Sequence, residues 1–269
     1  MRVNSDDATI DVATDGSGDA IVLIHGFPFT KEIWNAQSAQ LSKRAQTIRP
    51  DLRGFGSSSV PSGPYLMETF AGDLAAVLDA MKIDRASIVG HSMGGYVAMA
   101  FARMYTERVS KLVLVCSKLK NDSDEAAANR EKLASEIERD VRSALFESPY
   151  FTGLFAPETL KNKENQVRIA REIAQRNQPA GLAAAQRGMA QRVDARDIAE
   201  DLDFPVLVVA GGRDPIVSLE EAEETRAAFP HADLRVLGAS GHVPMVEEPE
   251  ALSEVLEGFL SAGAPERSL

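Results

Sequence analysis

At 269 residues, with 44% apolar and 26% charged side chains, the chain is long enough for one large α/β domain or two smaller ones around a sizeable core. A net charge of −11 argues against a phosphate-backbone ligand and reads as solubility, and no apolar run approaches the roughly 18–20 residues that cross a bilayer. Cys116 is the only cysteine, so no intrachain disulfide forms; the start, Met1 to Asp7, has one early positive charge and no apolar run behind it, which makes the cytoplasm the expected compartment.

Thr9 to Ala13 alternates polar and apolar residues before the turn Asp15-Gly16-Ser17-Gly18, the pattern of an opening antiparallel pair. Ala20 to Ile24 is a solid apolar run, as expected of a strand buried on both faces. Thr47-Ile48, Ala86 to Val89, Lys111 to Val115, Pro205 to Ala210 and Leu234 to Leu237 read similarly. Helical patterns lie between them at Trp34 to Leu41, Met67 to Met81, Gly94 to Arg103, Leu219 to Ala228 and Pro249 to Leu260. In the second, Phe70, Leu74, Val77, Leu78 and Met81 recur at three- and four-residue spacing. Strands alternating with helices predict a mostly parallel sheet covered on both faces.

The alternation breaks from Leu119 to Leu202, where no strand pattern is found. Glu125 to Leu145 and Gln166 to Gln175 are helix-like, punctuated by Ser148-Pro149, Ala156-Pro157, Gln178-Pro179 and Gly181. The expected organisation is a core of residues 1–118 and 203–269 with a helical cap, residues 119–202, over one edge of the sheet. Phe146, Tyr150, Phe151, Leu154, Phe155, Leu182 and Met189 either line a pocket beneath this cap or pack it onto the core.

Gly90-His91-Ser92-Met93-Gly94 stands between a strand and a helix, the context that turns G-x-S-x-G into a nucleophile elbow. The glycines spare the turn a side-chain collision and make strained backbone angles cheap. A serine hydroxyl needs a base within hydrogen-bond reach, and the base needs a carboxylate to hold its tautomer. Of the four histidines, His91 is expected to point away from the elbow into packing, and His231 to be exposed in a polar turn. His25 ends a strand at the edge where the elbow opens, and His242 follows Leu234 to Leu237 in the loop Gly238-Ala239-Ser240-Gly241-His242. Sites in open parallel sheets form at the carboxyl ends of strands, a condition that His242 meets. So does Asp214, in Gly211-Gly212-Arg213-Asp214-Pro215, although it is also placed to cap the next helix. Asp51 competes as the acid, but Arg53 nearby offers it a structural partner; after the strand ending at Cys116, Ser117 and Lys118 supply no acid. Cys116 itself reads as a small buried core residue.

The order Ser92, Asp214, His242 is that of the α/β-hydrolase family, which the chain resembles from about Ile21 to Leu260, cap included. Matching segments are Ile24-His25-Gly26-Phe27-Pro28, Asp51 to Ser58, Gly90 to Gly95, Gly211 to Asp214 and Gly241-His242. The resemblance implies an α/β-hydrolase fold and an oxyanion hole made by the backbone N–H groups of Phe27 and Met93. It also implies a pocket to which His25 and Val243 contribute. Asp51-Leu52-Arg53-Gly54 is expected to be a structural ion pair and tight turn.

The expected chemistry is hydrolysis of a carboxylic ester through an acyl-enzyme, with no cofactor and no metal. Family members that open epoxides or remove halogen carry aspartate at the elbow, where this chain has Ser92. The stretch His25 to Trp34 is similar to that of the cofactor-free haloperoxidase, or perhydrolase and arylesterase, group. Carbon–carbon bond hydrolases and enol-lactonases of aromatic catabolism share the triad, and some members of the fold bind small molecules as regulators. Eight cap arginines, Arg130, Arg139, Arg142, Arg168, Arg171, Arg176, Arg187 and Arg192, offer partners for a substrate carboxylate, though most read as solvated helix-face charges.

Overall fold

The short apolar runs become one eight-stranded sheet in a computed structural model that describes residues 1–261. Its strands are β1 (Arg2–Ser5), β2 (Ala8–Asp15), β3 (Ala20–Ile24), β4 (Gln46–Pro50), β5 (Ala86–His91), β6 (Val109–Val115), β7 (Val206–Gly211) and β8 (Ala232–Leu237). They lie in the order β1-β2-β4-β3-β5-β6-β7-β8. From β4 to β8 every pairing is parallel, so these strands all deliver their carboxyl ends to one rim. β3, β5 and β7 are buried at every residue, because helices cover both faces of the sheet centre.

The opening antiparallel pair departs from the expected one. β2 pairs with β1 and β4, both antiparallel, while β3 lies beyond β4. The Gly16–Gly18 turn therefore does not close a hairpin between adjacent strands. Gly16 has φ +76°, and a Cβ there would come within 2.2 Å of the Ala45 carbonyl oxygen.

Core helices α1 (Asn35–Leu41), α2 (Met67–Ala80) and α3 (Met93–Met104) connect the first strands. In α3 every residue from Met93 to Ala102 is buried, which small side chains such as Gly94, Gly95, Ala98 and Ala102 permit. The inserted region follows β6 and is helical: α4 (Asp124–Val141), α5 (Pro149–Thr152), α6 (Pro157–Asn162), α7 (Glu164–Ala174), α8 (Pro179–Ala190) and α9 (Arg196–Ala199). The core then resumes with α10 (Leu219–Ala227), α11 (Pro244–Glu247) and α12 (Pro249–Ser261), the last packed on α1. Residues 262–269, assigned to the core by the sequence pattern, lie outside the described residues.

Two helices of the insertion differ from expectation. The Glu125–Leu145 pattern breaks at Asp140 (φ −158°, ψ 93°), and residues 142–146 continue as a wider π-type turn. The Gln178-Pro179 and Gly181 signals do not interrupt a helix but begin α8, with Pro179 in its first turn. Gly181 and Gly188 serve packing in that helix. A Cβ on Gly181 would stand 2.0 Å from the Gly54 carbonyl oxygen, and one on Gly188 1.6 Å from that of Tyr65. The loop of residues 54–65 thus presses directly on the α8 backbone, while α4 packs against α8.

Candidate active site

Ser92 joins β5 to α3 at φ +50° and ψ −113°, a region costly for any side chain. The surroundings over-determine it. The Ser92 N–H donates to the Val115 carbonyl (2.9 Å), and the Ser117 hydroxyl donates to the Ser92 carbonyl (2.9 Å). A Cβ on Gly90 would meet the Gly94 carbonyl oxygen at 2.2 Å, and one on Gly94 would meet that of Ile24 at 2.5 Å. Only glycine lets the elbow close this tightly against the end of β3. Ser92 keeps partial solvent exposure.

Asp214 and His242 reach the same rim from the loops after β7 and β8. His242 Nε2 lies 2.8 Å from Ser92 Oγ, and its Nδ1 lies 2.8 Å from Asp214 Oδ2. The two loops are locked together: a Cβ on Gly211 would stand 2.0 Å from the Gly241 carbonyl oxygen. Asp214 Oδ1 accepts from the N–H groups of Ile216 (2.8 Å) and Val217 (3.1 Å). It caps no helix, since Ser218 occupies that position for α10. Burial raises the Asp214 pKa, but His242 and the two N–H donors outweigh it, leaving the carboxyl below its ordinary value. The site thus holds a carboxylate on one imidazole nitrogen and a hydroxyl on the other, so Nδ1 carries the proton and Nε2 accepts from Ser92.

The N–H of Phe27 donates to no group among the described residues, and Met93 opens α3, where a helical N–H has no partner in a preceding turn. Both side chains are buried. These two donors stand at the ends of β3 and β5, which are adjacent in the sheet.

The remaining histidines are structural. His25 is fully buried, with Nδ1–H donating to the Gly26 carbonyl (3.2 Å) and Nε2 accepting from the Leu52 N–H (3.1 Å). His91 Nε2–H donates to the His242 carbonyl (2.7 Å), so it fixes the backbone of the histidine facing Ser92. Its Nδ1 is buried without a partner among the described residues. His231 is exposed, as its turn predicts. Burial lowers the His25 pKa to about 4; burial and then His242 lower that of His91 to about 3. Both rings are therefore neutral in the folded chain at pH 5, where the unfolded chain binds protons on them. Stability consequently declines as pH drops from about 6.5 toward 4, by about 1.4 kcal/mol per pH unit for each ring. Urea unfolding at pH 7, 6 and 5 checks this: the midpoint falls steadily, and His91→Gln makes the fall shallower.

Asp51 and Arg53 do not pair. Lys31 takes Asp51 together with Asp11, whereas Arg53 forms a two-pronged pair with Asp73 and a further contact to Asp7. Asp51 serves the turn instead, accepting from the N–H groups of Lys31 and Ser57. Gly54 (φ +82°) and Gly56 (φ +53°) supply its left-handed positions.

Of the expected pocket residues, Tyr150 lies edge-on to Phe27 at 6.2 Å between ring centroids. Phe151 is fully buried among Phe29, Phe146 and Phe155 and ties the insertion to the core, as do Leu154 and Leu182 by their burial. Met189 is buried beside Arg130. Val243 is buried next to His242, and His25 packs against Phe55 rather than facing an open cavity.

The sequence reading missed Glu247. Fully buried, it accepts from the N–H of Ala156 (2.8 Å), the Thr159 hydroxyl (2.8 Å) and the N–H of Val243 (3.0 Å). The His242 N–H donates to the Leu154 carbonyl (2.9 Å) in the same seam. Nothing in Val246-Glu247-Glu248-Pro249 distinguishes the buried glutamate from its neighbour. Cys116 is buried as expected, with φ +48° and its Sγ beside Asp214 and His242. Burial, then Asp214, push its thiol pKa well up, and Asp214 is already committed to His242 and two N–H donors. The trio is thus a poor metal ligand set.

A sequence profile described as the alpha/beta hydrolase fold matches residues 19–249. The chain belongs to the α/β-hydrolase fold family. Among solved α/β-hydrolases, a thermophilic esterase from Thermogutta terrifontis, malate bound, is 33% identical over 97% of both chains with a TM-score of 0.94. A bromoperoxidase from Bacillus anthracis is 26% identical, covering 97% of this chain and 99% of its own, with a TM-score of 0.86. The 3-oxoadipate enol-lactonase 2 of Acinetobacter baylyi is 27% identical over 96% of this chain and 95% of its own. Among the described residues, no helix of this α/β-hydrolase is long and apolar enough to cross a membrane.

Proposed function

We propose that this α/β-hydrolase is a carboxylic ester hydrolase with Ser92, His242 and Asp214 as its catalytic residues. The 2.8 Å approach of His242 Nε2 to a strained, partly exposed serine hydroxyl carries the reading. Ser92 Oγ attacks the ester carbonyl while its proton passes to His242 Nε2. Asp214 stabilises the imidazolium, and the Phe27 and Met93 N–H groups receive the charge growing on the carbonyl oxygen. The carbon–oxygen bond then breaks and the leaving alcohol takes the proton from His242. Water, deprotonated by the same imidazole, releases the acid and restores Ser92. The helices of residues 119–202 act as a cap over this rim.

The similarity to an esterase at 33% identity supports ester substrates. An enol-lactone is a cyclic ester that the same acyl transfer opens, and the Acinetobacter relative keeps that reading second. Perhydrolysis substitutes hydrogen peroxide for water in the second half, and a carbon–carbon bond hydrolase would apply the triad to a dienone. A panel of p-nitrophenyl esters, enol-lactones and dienones, with and without peroxide, separates these. Fastest turnover is expected on the esters, together with labelling of Ser92 by a fluorophosphonate. Labelling without turnover on any member would instead favour a small-molecule-binding regulator on this fold, and absence of labelling would overturn the catalytic assignment.

A further inference from the structure

Within the cap, two guanidinium groups share a single carboxylate. Arg130 Nε and Arg192 Nη1 both bond Asp122 Oδ2. One positive charge is therefore left over in a cluster whose Asp122 and Arg192 side chains are only 6% and 3% exposed. Arg192 is sealed, its guanidinium lying 4.2 Å over the Tyr96 ring. Arg130, with 23% side-chain exposure, is the member with an open edge. Its Nη1 has weak partners, Gln186 Oε1 at 3.2 Å and the Met189 sulfur at 3.5 Å, and its Nη2 donates to no group among the described residues. Gln186 is 1% exposed, and its Nε2, with two protons to donate, is buried facing the Tyr150 hydroxyl, with no other acceptor among the described residues.

This surplus of donors borders the catalytic rim on two sides. Arg130 shares Asp122 with Arg192, which lies over the Tyr96 ring, and the Tyr96 N–H reaches back to the Ser92 carbonyl (3.4 Å). On the other side Arg130 bonds Gln186, which faces Tyr150, and Tyr150 lies against Phe27. Burial pushes the Tyr150 hydroxyl up to about 12, so it too remains a proton donor. Arg142, Arg168, Arg176 and Arg187 instead pair with carboxylates on the surface, Arg187 with both Glu131 and Glu138. A planar guanidinium with a free edge, an amide N–H and a phenol form a set that matches a carboxylate and no cation.

We propose that Arg130, with Gln186 and Tyr150, is a carboxylate-binding subsite beside Ser92, so that the preferred ester carries an acid group. The inference rests on the ester-hydrolase reading and names its substrate class. Two matched pairs test it: mono-p-nitrophenyl succinate against p-nitrophenyl butyrate, with the acid on the acyl side, and 4-acetoxybenzoate against phenyl acetate, with the acid on the alcohol side. In one pair kcat/KM favours the anionic ester by about ten-fold or more, Arg130→Gln brings the ratio to about one mainly through KM, and Arg130→Lys falls between. No preference in either pair, or an unchanged ratio in folded Arg130→Gln, overturns the proposal. If Arg130→Gln does not fold, Gln186→Leu decides by the same ratio.

Failure of the catalytic reading is visible separately, as loss of fluorophosphonate labelling and of turnover on every ester. Succinate alone then decides the subsite. It raises the melting temperature of the wild type more than that of Arg130→Gln, or of Gln186→Leu, if the site exists, and equally if it does not.

Discussion

Ser92→Ala is expected to lower kcat on the best ester of the panel by about a million-fold and to abolish fluorophosphonate labelling. The residual rate reflects binding and the two N–H donors, which the substitution leaves in place. Stability moves little, because serine and alanine both carry a Cβ and pay the same backbone strain at φ +50°. Ser92→Gly removes that strain and is expected to stabilise the fold by about 1 kcal/mol while being equally inactive. Opposite signs for activity and stability at one residue are what a strained nucleophile predicts. Turnover by Ser92→Ala within ten-fold of wild type, measured on protein purified free of host esterases, would refute the mechanism.

Asp214→Asn is expected to lower kcat by about ten-thousand-fold with little change in KM. The reason is geometric. Asp214 Oδ1 accepts two backbone N–H groups, from Ile216 and Val217, while Oδ2 faces His242. An asparagine has one acceptor oxygen, and those two donors claim it. Its NH2 group must then face His242 Nδ1, which becomes an acceptor. The imidazole proton moves to Nε2 and points at Ser92, so the base can no longer take the serine proton. Steady-state kinetics of Asp214→Asn, with a melting curve to show an intact fold, make the check. A loss below about a hundred-fold would mean that Asp214 does not set the tautomer.

The sheet was legible because its central strands are solid apolar runs, and Ser92, Asp214 and His242, which follow such runs, do meet at one rim. The edge was less so. β1 alternates over only Arg2 to Ser5, too short to stand out, and its presence is what moves β2 away from β3. α8 was obscured because Pro179 and Gly181 are local breakers, whereas their role here is set by the distant backbone of Gly54. The same holds for charge. Arg53 is nearer in sequence to Asp51, but Asp73 on α2 reaches it across the turn, and Lys31 claims Asp51. Eight cap arginines look alike in the sequence; only packing separates Arg130 and Arg192, which share the buried Asp122, from those on the surface. Pairings made across long stretches of chain leave no local pattern to read.

Glu247 couples the insertion to the loop that carries His242. One carboxylate fastens the Ala156–Thr159 stretch to the segment that begins at Val243, immediately after His242. Swinging the inserted helices away at that seam would strand a negative charge in an apolar setting and tug on the very loop that carries the imidazole. The imidazole loop and this end of the insertion are therefore one mechanical piece, and the insertion is pinned a second time where the Tyr65 N–H reaches the Ala184 carbonyl and Gly181 and Gly188 let the loop of residues 54–65 lie on the α8 backbone.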